Sequence, residues 1–330
     1  MKAVVLLNEG AGTLAGLDVG DAQRQIARRF ANAGAQADVR FVEPRYLRPI
    51  AQEAARGSDF DVIFAGGGDG TINTIANVVA DSPKTFGVLP LGTHNHFAKD
   101  LKIPLDLDQA IAALVNGQVI DLPVAEVNGH VFLNFSAIGL HPEVVMDREA
   151  QREEKGRGKW PAMAVAMTRK LINKPAVHKL TLSARGHTIA RRTPSVIVCN
   201  NPHQMEVFGV GDASVPERGL LNVYIATRAK RRTLVWLMLR AAANRIDEDT
   251  KHLEAMALPE LRIDSNRRAL PVSVDGEVSD MPTPLIYRIR EKPLRVLTPA
   301  PPPSPPPPPP PTPTTTPPPP PPDENAEKAQ

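Results

Sequence analysis

The chain has 330 residues, with 39 basic and 36 acidic side chains, one cysteine and 35 prolines. At roughly 100–200 residues per domain this length suggests two domains, each able to bury a core. A single cysteine excludes an intramolecular disulfide framework and a multi-cysteine zinc site. No apolar run approaches the ~20 residues that a membrane span needs.

The prolines are unevenly placed: 17 lie between Pro301 and Pro322, interrupted only by Ser304 and four threonines. That stretch cannot form a core and is expected to be extended and disordered. Lys328, Asp323, Glu324 and Glu327 are the charges of the last thirty residues, so the body before them carries about +5. This mild excess permits attraction to anionic surfaces but does not mark a nucleic-acid binder. Lys2 followed by Ala3–Leu7 resembles the start of a signal peptide, but Asn8 and Glu9 end the run below the usual ~7–15 apolar residues. A soluble, cytoplasmic protein is expected.

The first 120 residues alternate between two periods. Ala3–Leu7 reads as a strand buried on both faces. Gln23–Ala33 has Ile26, Ala27 and Phe30 at helical spacing. Strands at Val39–Val42, Asp61–Ala65 and Phe86–Leu89 then alternate with helices at Ala51–Ala55, Ile72–Val79 and Leu107–Val115. This order predicts a parallel sheet with helices on its faces.

After Val119 the pattern changes. Asn128-Gly129, between Val124–Val127 and Val131–Phe135, is a strong two-residue hairpin signal. Arg185-Gly186-His187, between Leu180–Ser183 and Thr188–Arg191, is a weaker one. Strand-like runs follow at Ser195–Cys199, Leu221–Ala226, Glu260–Ile263, Leu270–Val274, Leu285–Ile289 and Leu294–Leu297, with helical stretches at Trp160–Ile172 and Thr233–Ala243. The second half is therefore β-rich and largely antiparallel. Expected boundaries are 1–122, 123–299 and 300–330. Cys199, in the apolar run 196–199, is expected to be a buried strand thiol.

The chemistry concentrates in two turns. Gly66-Gly67-Gly68-Asp69-Gly70-Thr71 leaves a strand and opens a helix. Glycines there allow a close backbone approach, and the helix start favours an anion. Neither the Walker loop nor the dinucleotide fingerprint is present. Gly87 to Ala98, containing Leu89-Pro90-Leu91-Gly92-Thr93-His94-Asn95-His96, repeats the plan. Both turns open at the carboxyl edge of a parallel sheet, where such sheets bind ligands, and a nucleotide suits them.

Asn8 with Gly10 and Gly12, the turn at 67–71, and Leu89-Pro90-Leu91-Gly92-Thr93-x-Asn95 with Phe97-Ala98 and Ile103-Pro104 together resemble the diacylglycerol kinase catalytic-domain family. That family includes bacterial lipid kinases and is related to sphingosine and ceramide kinases. The resemblance continues through Ile120-Asp121-Leu122, Phe132-Leu133-Asn134, Ile138-Gly139, Asn200-Asn201, Gly219-Leu220-Leu221 and Val274-Asp275-Gly276-Glu277, over nearly all of residues 1–299.

The resemblance implies a three-layer α/β nucleotide-binding domain of the kind shared with NAD kinases, then a β-sandwich-like domain, with the active site between them. It implies an ATP- and Mg²⁺-dependent kinase acting on a lipid hydroxyl at the membrane surface. By position, Asn8, Gly67, Gly68, Asp69, Gly70, Thr71, Thr93 and Asn95 would line the ATP site. Asp69 and Asp121 would belong to the acidic network around Mg²⁺. Asp275 would be the general base, with Glu277 beside it. Asp275-Gly276 read without the resemblance is an ordinary hairpin turn.

Three positions depart from the family's pattern. His96 stands where the family has a carboxylate, Arg218 replaces an Asp that holds a structural Mg²⁺ in some members, and the opening Asn-Pro reads Asn8-Glu9. The cluster Arg228, Lys230, Arg231 and Arg232, beside an apolar stretch with Trp236, reads as a packed helix with a solvated start or as a bilayer contact. The basic loop Lys155–Trp160 has the same two readings. NAD kinase is a rival reading, discounted because Asn134-Phe135 stands where an Asn-Glu pair is expected. A catalytically weak nucleotide-binding protein, recruited to membranes or partners through its tail, is another. No nucleic-acid partner is expected. The oligomeric state, a homodimer included, and the tail's partner stay open.

Overall fold

The computed structural model describes residues 1–10, 18–93, 95–139, 177–200, 219–226 and 253–301. The features read at Gly12, His94, 155–172, Asn201, Arg218 and 228–243, and nearly all of the tail, lie outside the described residues. The chain divides into two units, Met1–Ala300 and Pro301–Gln330.

The first half follows the expected alternation: β1 (Lys2–Asn8), α1 (Val19–Asn32), β2 (Gln36–Val42), α2 (Leu47–Arg56), β3 (Val62–Gly66), α3 (Asp69–Val79), β4 (Thr85–Leu89), α4 (His96–Asp100), α5 (Leu107–Val115) and β5 (Gln118–Leu122). β3 and β4 are buried along their whole length, as strands covered on both faces must be. Helix starts explain two boundaries. Asp18 caps α1 by accepting from the Asp21 N–H, and Asp106 caps α5 by accepting from the Gln109 N–H.

The second half contains β6 (Ala125–Val127), β7 (His130–Phe132), β8 (Phe135–Gly139), β9 (His178–Ala184), β10 (His187–Thr193), β11 (Ser195–Cys199), β12 (Leu221–Ala226), β13 (Leu253–Leu258), β14 (Glu260–Ser265), β15 (Ala269–Val274), β16 (Glu277–Pro282), β17 (Leu285–Ile289) and β18 (Leu294–Thr298). Three hairpins turn on Asn128-Gly129, Arg185-Gly186 and Asp275-Gly276, each with both residues at positive φ. Such two-residue turns match the twist of the strands they join.

The strands form three six-stranded sheets. The first has the order β2-β1-β3-β4-β18-β5, with β1 to β4 parallel. Its order reverses between β1 and β3, which makes their carboxyl ends the switch point where open α/β sheets take ligands. The other two, β10-β9-β14-β17-β6-β7 and β13-β12-β11-β8-β15-β16, are antiparallel. Residues of both share one core that includes Phe132, Ile138, Leu182, Val198, Ile263, Val272 and Tyr287. That is the layering of a β-sandwich.

One strand departs from the expected division. Leu294–Thr298, grouped with 123–299 from the sequence, is β18 and lies in the first sheet, parallel to β4 and antiparallel to β5. Its apolar residues Leu294, Val296 and Leu297 join the α/β core. The α/β layer is thus closed by the end of the folded body. Cys199 is buried in β11, as expected, and burial pushes its thiol above the usual range.

Candidate active site

The two glycine turns meet. Gly92 packs so closely on the first turn that a Cβ on it would lie 2.7 Å from the Gly67 carbonyl oxygen and 2.9 Å from the Gly68 Cα. Polar side chains brace this ledge. Asn8, at the end of β1, donates from Nδ2 to Thr71 Oγ1 at 2.8 Å, while its Oδ1 accepts from the Gly10 N–H at 2.9 Å. This hydrogen bond spans the switch point between β1 and β3. Asn95 sits at φ 52°, accepts from the Gly92 N–H at 2.8 Å and donates to the Gly92 carbonyl at 2.8 Å. Asn8, Thr71 and Asn95, read from the sequence as lining the ATP site, brace the turns that form this ledge. Thr93 is exposed beside them.

α3 begins at Asp69 with Gly68 as its N-cap and no side-chain cap bond, unlike α1 and α5. The N–H groups of a first helical turn have no intrahelical partner and favour an anion. Gly68 has open space where a Cβ would stand. Asp69 Oδ1 is buried without a hydrogen-bond partner. An orphaned carboxylate oxygen of this kind suits a cation held by oxygen ligands. Asp121 is elsewhere: it is exposed on β5 opposite Arg295. β5 is the third strand beyond β3 in the sheet, about 14 Å away at the usual strand spacing. The fold does not bring Asp121 beside Asp69. Among the described residues no group of three or more His, Cys, Asp and Glu gathers as a metal cluster.

The sandwich contributes the turn between β15 and β16. Asp275 is the first residue of this turn and Gly276 the second, so the bland hairpin reading and the functional one describe the same residues. The Asp275 carboxylate is fully engaged. Oδ1 accepts from the N–H groups of Asn134 at 2.8 Å and Phe135 at 3.0 Å, and Oδ2 from the Leu133 N–H at 2.8 Å and Asn73 Nδ2 at 2.5 Å. Burial pushes its pKa up from 3.8 to about 6, against the pull of these four bonds. Glu277, the first residue of β16, is exposed, and its Oε1 reaches the start of α3. A Cβ on Gly70 would lie 2.4 Å from that oxygen.

Asn73 is a site residue that the sequence reading missed. It is buried on α3, and with Asn77 it donates to the Val131 carbonyl on β7, at 3.1 and 2.9 Å. Two asparagines at i and i+4 on the helix that the first glycine turn opens were the available signal. His96 is the first residue of α4 and half-buried.

Residues 2–127 match the diacylglycerol kinase catalytic domain, so the family resemblance holds over that segment. The diacylglycerol kinase of Bacillus subtilis strain 168 is 35% identical over 126 residues, 37% of this chain and 42% of that protein. A protein of Staphylococcus haemolyticus strain JCSC1435, named "Putative lipid kinase", is 27% identical over 249 residues, 73% of this chain and 77% of its own. The crystal structure of a diacylglycerol kinase from Bacillus anthracis strain Sterne covers 90% of this chain and 96% of its own, with a TM-score of 0.61 at 18% identity. At that identity the likeness shows the fold.

Proposed function

We propose that this protein, in which residues 2–127 carry the diacylglycerol kinase catalytic domain, is an ATP- and Mg²⁺-dependent lipid kinase. It transfers the γ-phosphoryl group of ATP to a hydroxyl of diacylglycerol or a sphingoid-type lipid. The observation that carries this reading is the packing of Gly92 on Gly67 and Gly68, which makes one ledge of two glycine turns at the switch point. The Asp275–Glu277 turn of the sandwich faces the start of α3 at that ledge.

Phosphoryl transfer depends on positioning and charge neutralisation. The uncapped first turn of α3 offers N–H groups to the phosphates, and Gly68 lets them approach the backbone. Asp69 is the residue that would hold Mg²⁺, which would neutralise charge on the β- and γ-phosphates. The acceptor hydroxyl needs a carboxylate to take its proton, and two stand at the β15–β16 turn. The lipid is reached at the membrane surface by a peripheral enzyme. Among the described residues no helix is long and apolar enough to cross a bilayer.

The test is transfer of label from γ-labelled ATP with MgCl₂ to dioleoylglycerol or sphingosine in mixed micelles. The expected product is the labelled lipid phosphate, with little ATP hydrolysis when lipid is absent. Hydrolysis that lipid does not stimulate, with no labelled lipid, refutes the reading.

A further inference from the structure

We infer that Asn73 and Asn77 are positioning residues. Together they clamp α3, which carries the phosphate ledge, to the sandwich, which carries the carboxylates of the acceptor side, and so set the spacing across which the phosphoryl group moves. The inference rests on the lipid-kinase reading above and assigns one function within it.

The first observation is a strand edge that needs a partner. β7 is the last strand of its sheet, and Val131 at its centre is fully buried. Across the Asn128-Gly129 turn, Val127 and His130 are the first pair of the ladder. In a two-residue hairpin that pair exchanges its bonds, so the next pair, Glu126 and Val131, points its N–H and C=O groups outward. For Val131, outward is the open edge, where a buried backbone group without a partner is costly. Asn77 meets both groups with one amide. The Val131 N–H donates to Asn77 Oδ1 at 2.8 Å, and Asn77 Nδ2 donates to the Val131 carbonyl at 2.9 Å. The side-chain amide thus takes the place of a peptide group on a seventh strand. Asn73 Nδ2 donates to the same carbonyl at 3.1 Å.

The second observation is where these asparagines sit on α3. Asp69, Asn73 and Asn77 are spaced four residues apart, so they form one stripe along the helix. The stripe begins at the buried Asp69 carboxylate, beside the uncapped N–H groups of the ledge, and reaches Asn77 about 12 Å further on. Asn77 Nδ2 donates to Asn73 Oδ1 at 3.0 Å. That bond leaves Asn73 Nδ2 facing its two acceptors, the Val131 carbonyl and Asp275 Oδ2. Two residues beyond Val131, the Leu133 N–H donates to the same Asp275 oxygen at 2.8 Å. These bonds close a ring through α3, the segment 131–133 and the β15–β16 turn. Two anchor points one helical turn apart fix the tilt of α3 as well as its distance from the sandwich.

A lipid hydroxyl meets the γ-phosphorus only if the ledge and the acceptor turn keep their spacing. A misplacement of about 1 Å can cost about 10²-fold in rate. Water attacks without being held by the sandwich, so its reaction does not depend on that spacing. A loosened clamp therefore diverts the phosphoryl group from lipid to water. Nucleotide binding, which uses the ledge, is left as it was.

The experiment uses the full chain, γ-labelled ATP, MgCl₂, and dioleoylglycerol or sphingosine in mixed micelles. Labelled lipid phosphate and labelled inorganic phosphate are counted in the same reaction. Asn77→Ala removes both bonds to Val131. Its kcat for lipid phosphorylation should fall about 10–10²-fold, and inorganic phosphate per lipid phosphate should rise about tenfold. KM for ATP should stay within about twofold of wild type. Asn77 borders the open groove between α2 and α3, which Gln52 and Asp81 also line, so Asn77→Gln has room for its added methylene. The longer amide keeps the bonds to Val131 at a shifted spacing. Asn77→Gln should therefore melt within a few degrees of the wild type and still raise the ratio, and it carries the test if the alanine variant does not fold. Asn73→Ala, which also removes a donor to Asp275, should raise the ratio in the same direction.

A merely structural role would lower lipid phosphorylation and hydrolysis together, so an unchanged ratio in Asn77→Ala and Asn77→Gln would overturn the inference. So would a kcat within about threefold of wild type in both variants. A raised KM for ATP at unchanged kcat would place Asn77 in the nucleotide site instead, and would overturn it too. Failure of the wild type to phosphorylate either lipid would refute the lipid-kinase reading itself, and the clamp's role in transfer with it.

Discussion

Alanine at Gly92 should cost far more stability than alanine at Gly68, although the two residues lie on neighbouring turns. At Gly92 the new methyl would stand 2.7 Å from the Gly67 carbonyl oxygen, 2.9 Å from the Gly68 Cα and 2.9 Å from Asn95 Oδ1. Two of these neighbours are backbone, so relief requires the turns to separate by about 0.5–0.7 Å to reach ordinary contact distances. Overpacking of this kind costs about 1–3 kcal/mol, or a drop in Tm on the order of 2–10 °C. Misplacement approaching 1 Å at a reacting group can cost about 10²-fold in rate, so kcat should fall as well.

At Gly68 nothing lies within 4 Å of the added methyl, and φ is −74°. Gly68→Ala should therefore change Tm little, apart from a few tenths of a kcal/mol or more for the poorer cap. Its methyl would project into the space where phosphates approach the backbone, so KM for ATP should rise. Thermal melting together with steady-state kinetics in ATP checks both substitutions. A Gly92→Ala protein with wild-type Tm and kcat would refute the contact between the turns. A Gly68→Ala protein with wild-type KM for ATP would refute the phosphate ledge.

Other outcomes follow from the same structure. The Asp275 pKa is raised on folding from 3.8 to about 6, so between those values the native state retains a proton that the unfolded chain has released. The stabilisation this gives is complete below about pH 3.8 and is lost as pH rises through about 6, roughly 3 kcal/mol for a shift of two units. Denaturant midpoints between about pH 4 and 7 should move against the wild type relative to Asp275→Asn; a constant difference between the two contradicts this. Arg290 bonds Asp81 at 2.6 Å and approaches Glu126, a buried carboxylate that Arg288 also bonds at 2.6 Å. Arg290→Ala should destabilise the protein by about 1–3 kcal/mol in chemical denaturation, and an unchanged midpoint would mean that Arg288 alone satisfies Glu126. Deleting residues 301–330, the second of the two units, should leave Tm and lipid phosphorylation unchanged. A loss of more than a few degrees would assign the tail to the folded body.

Local chemistry made much of the architecture legible. Apolar runs such as Ala3–Leu7 and the periodicity of Leu107–Val115 identify elements because burial of a strand or a helix face leaves a pattern within a few residues. Asn128-Gly129 and Asp275-Gly276 identify turns because positive φ at both positions is costly for most side chains. The glycines at 66–70 and Gly92 mark close approaches of backbone. The element boundaries moved where tertiary contacts or caps extended them, as at Asp18 and β2.

The sequence by itself thus determined the alternating α/β half, the antiparallel half, and which turns could face a ligand. Only the tertiary structure decided how distant segments share those sites. The placement of β18 beside β4 depends on pairing across more than 200 residues, and no local pattern encodes a partner. The same is true of Asn73 and residues 133–135, which saturate the Asp275 carboxylate, and of Glu277 reaching Gly70. A carboxylate reads identically in one dimension whether it faces solvent or, like Asp275, is enclosed by four donors, because those donors come from segments that only the fold brings to it.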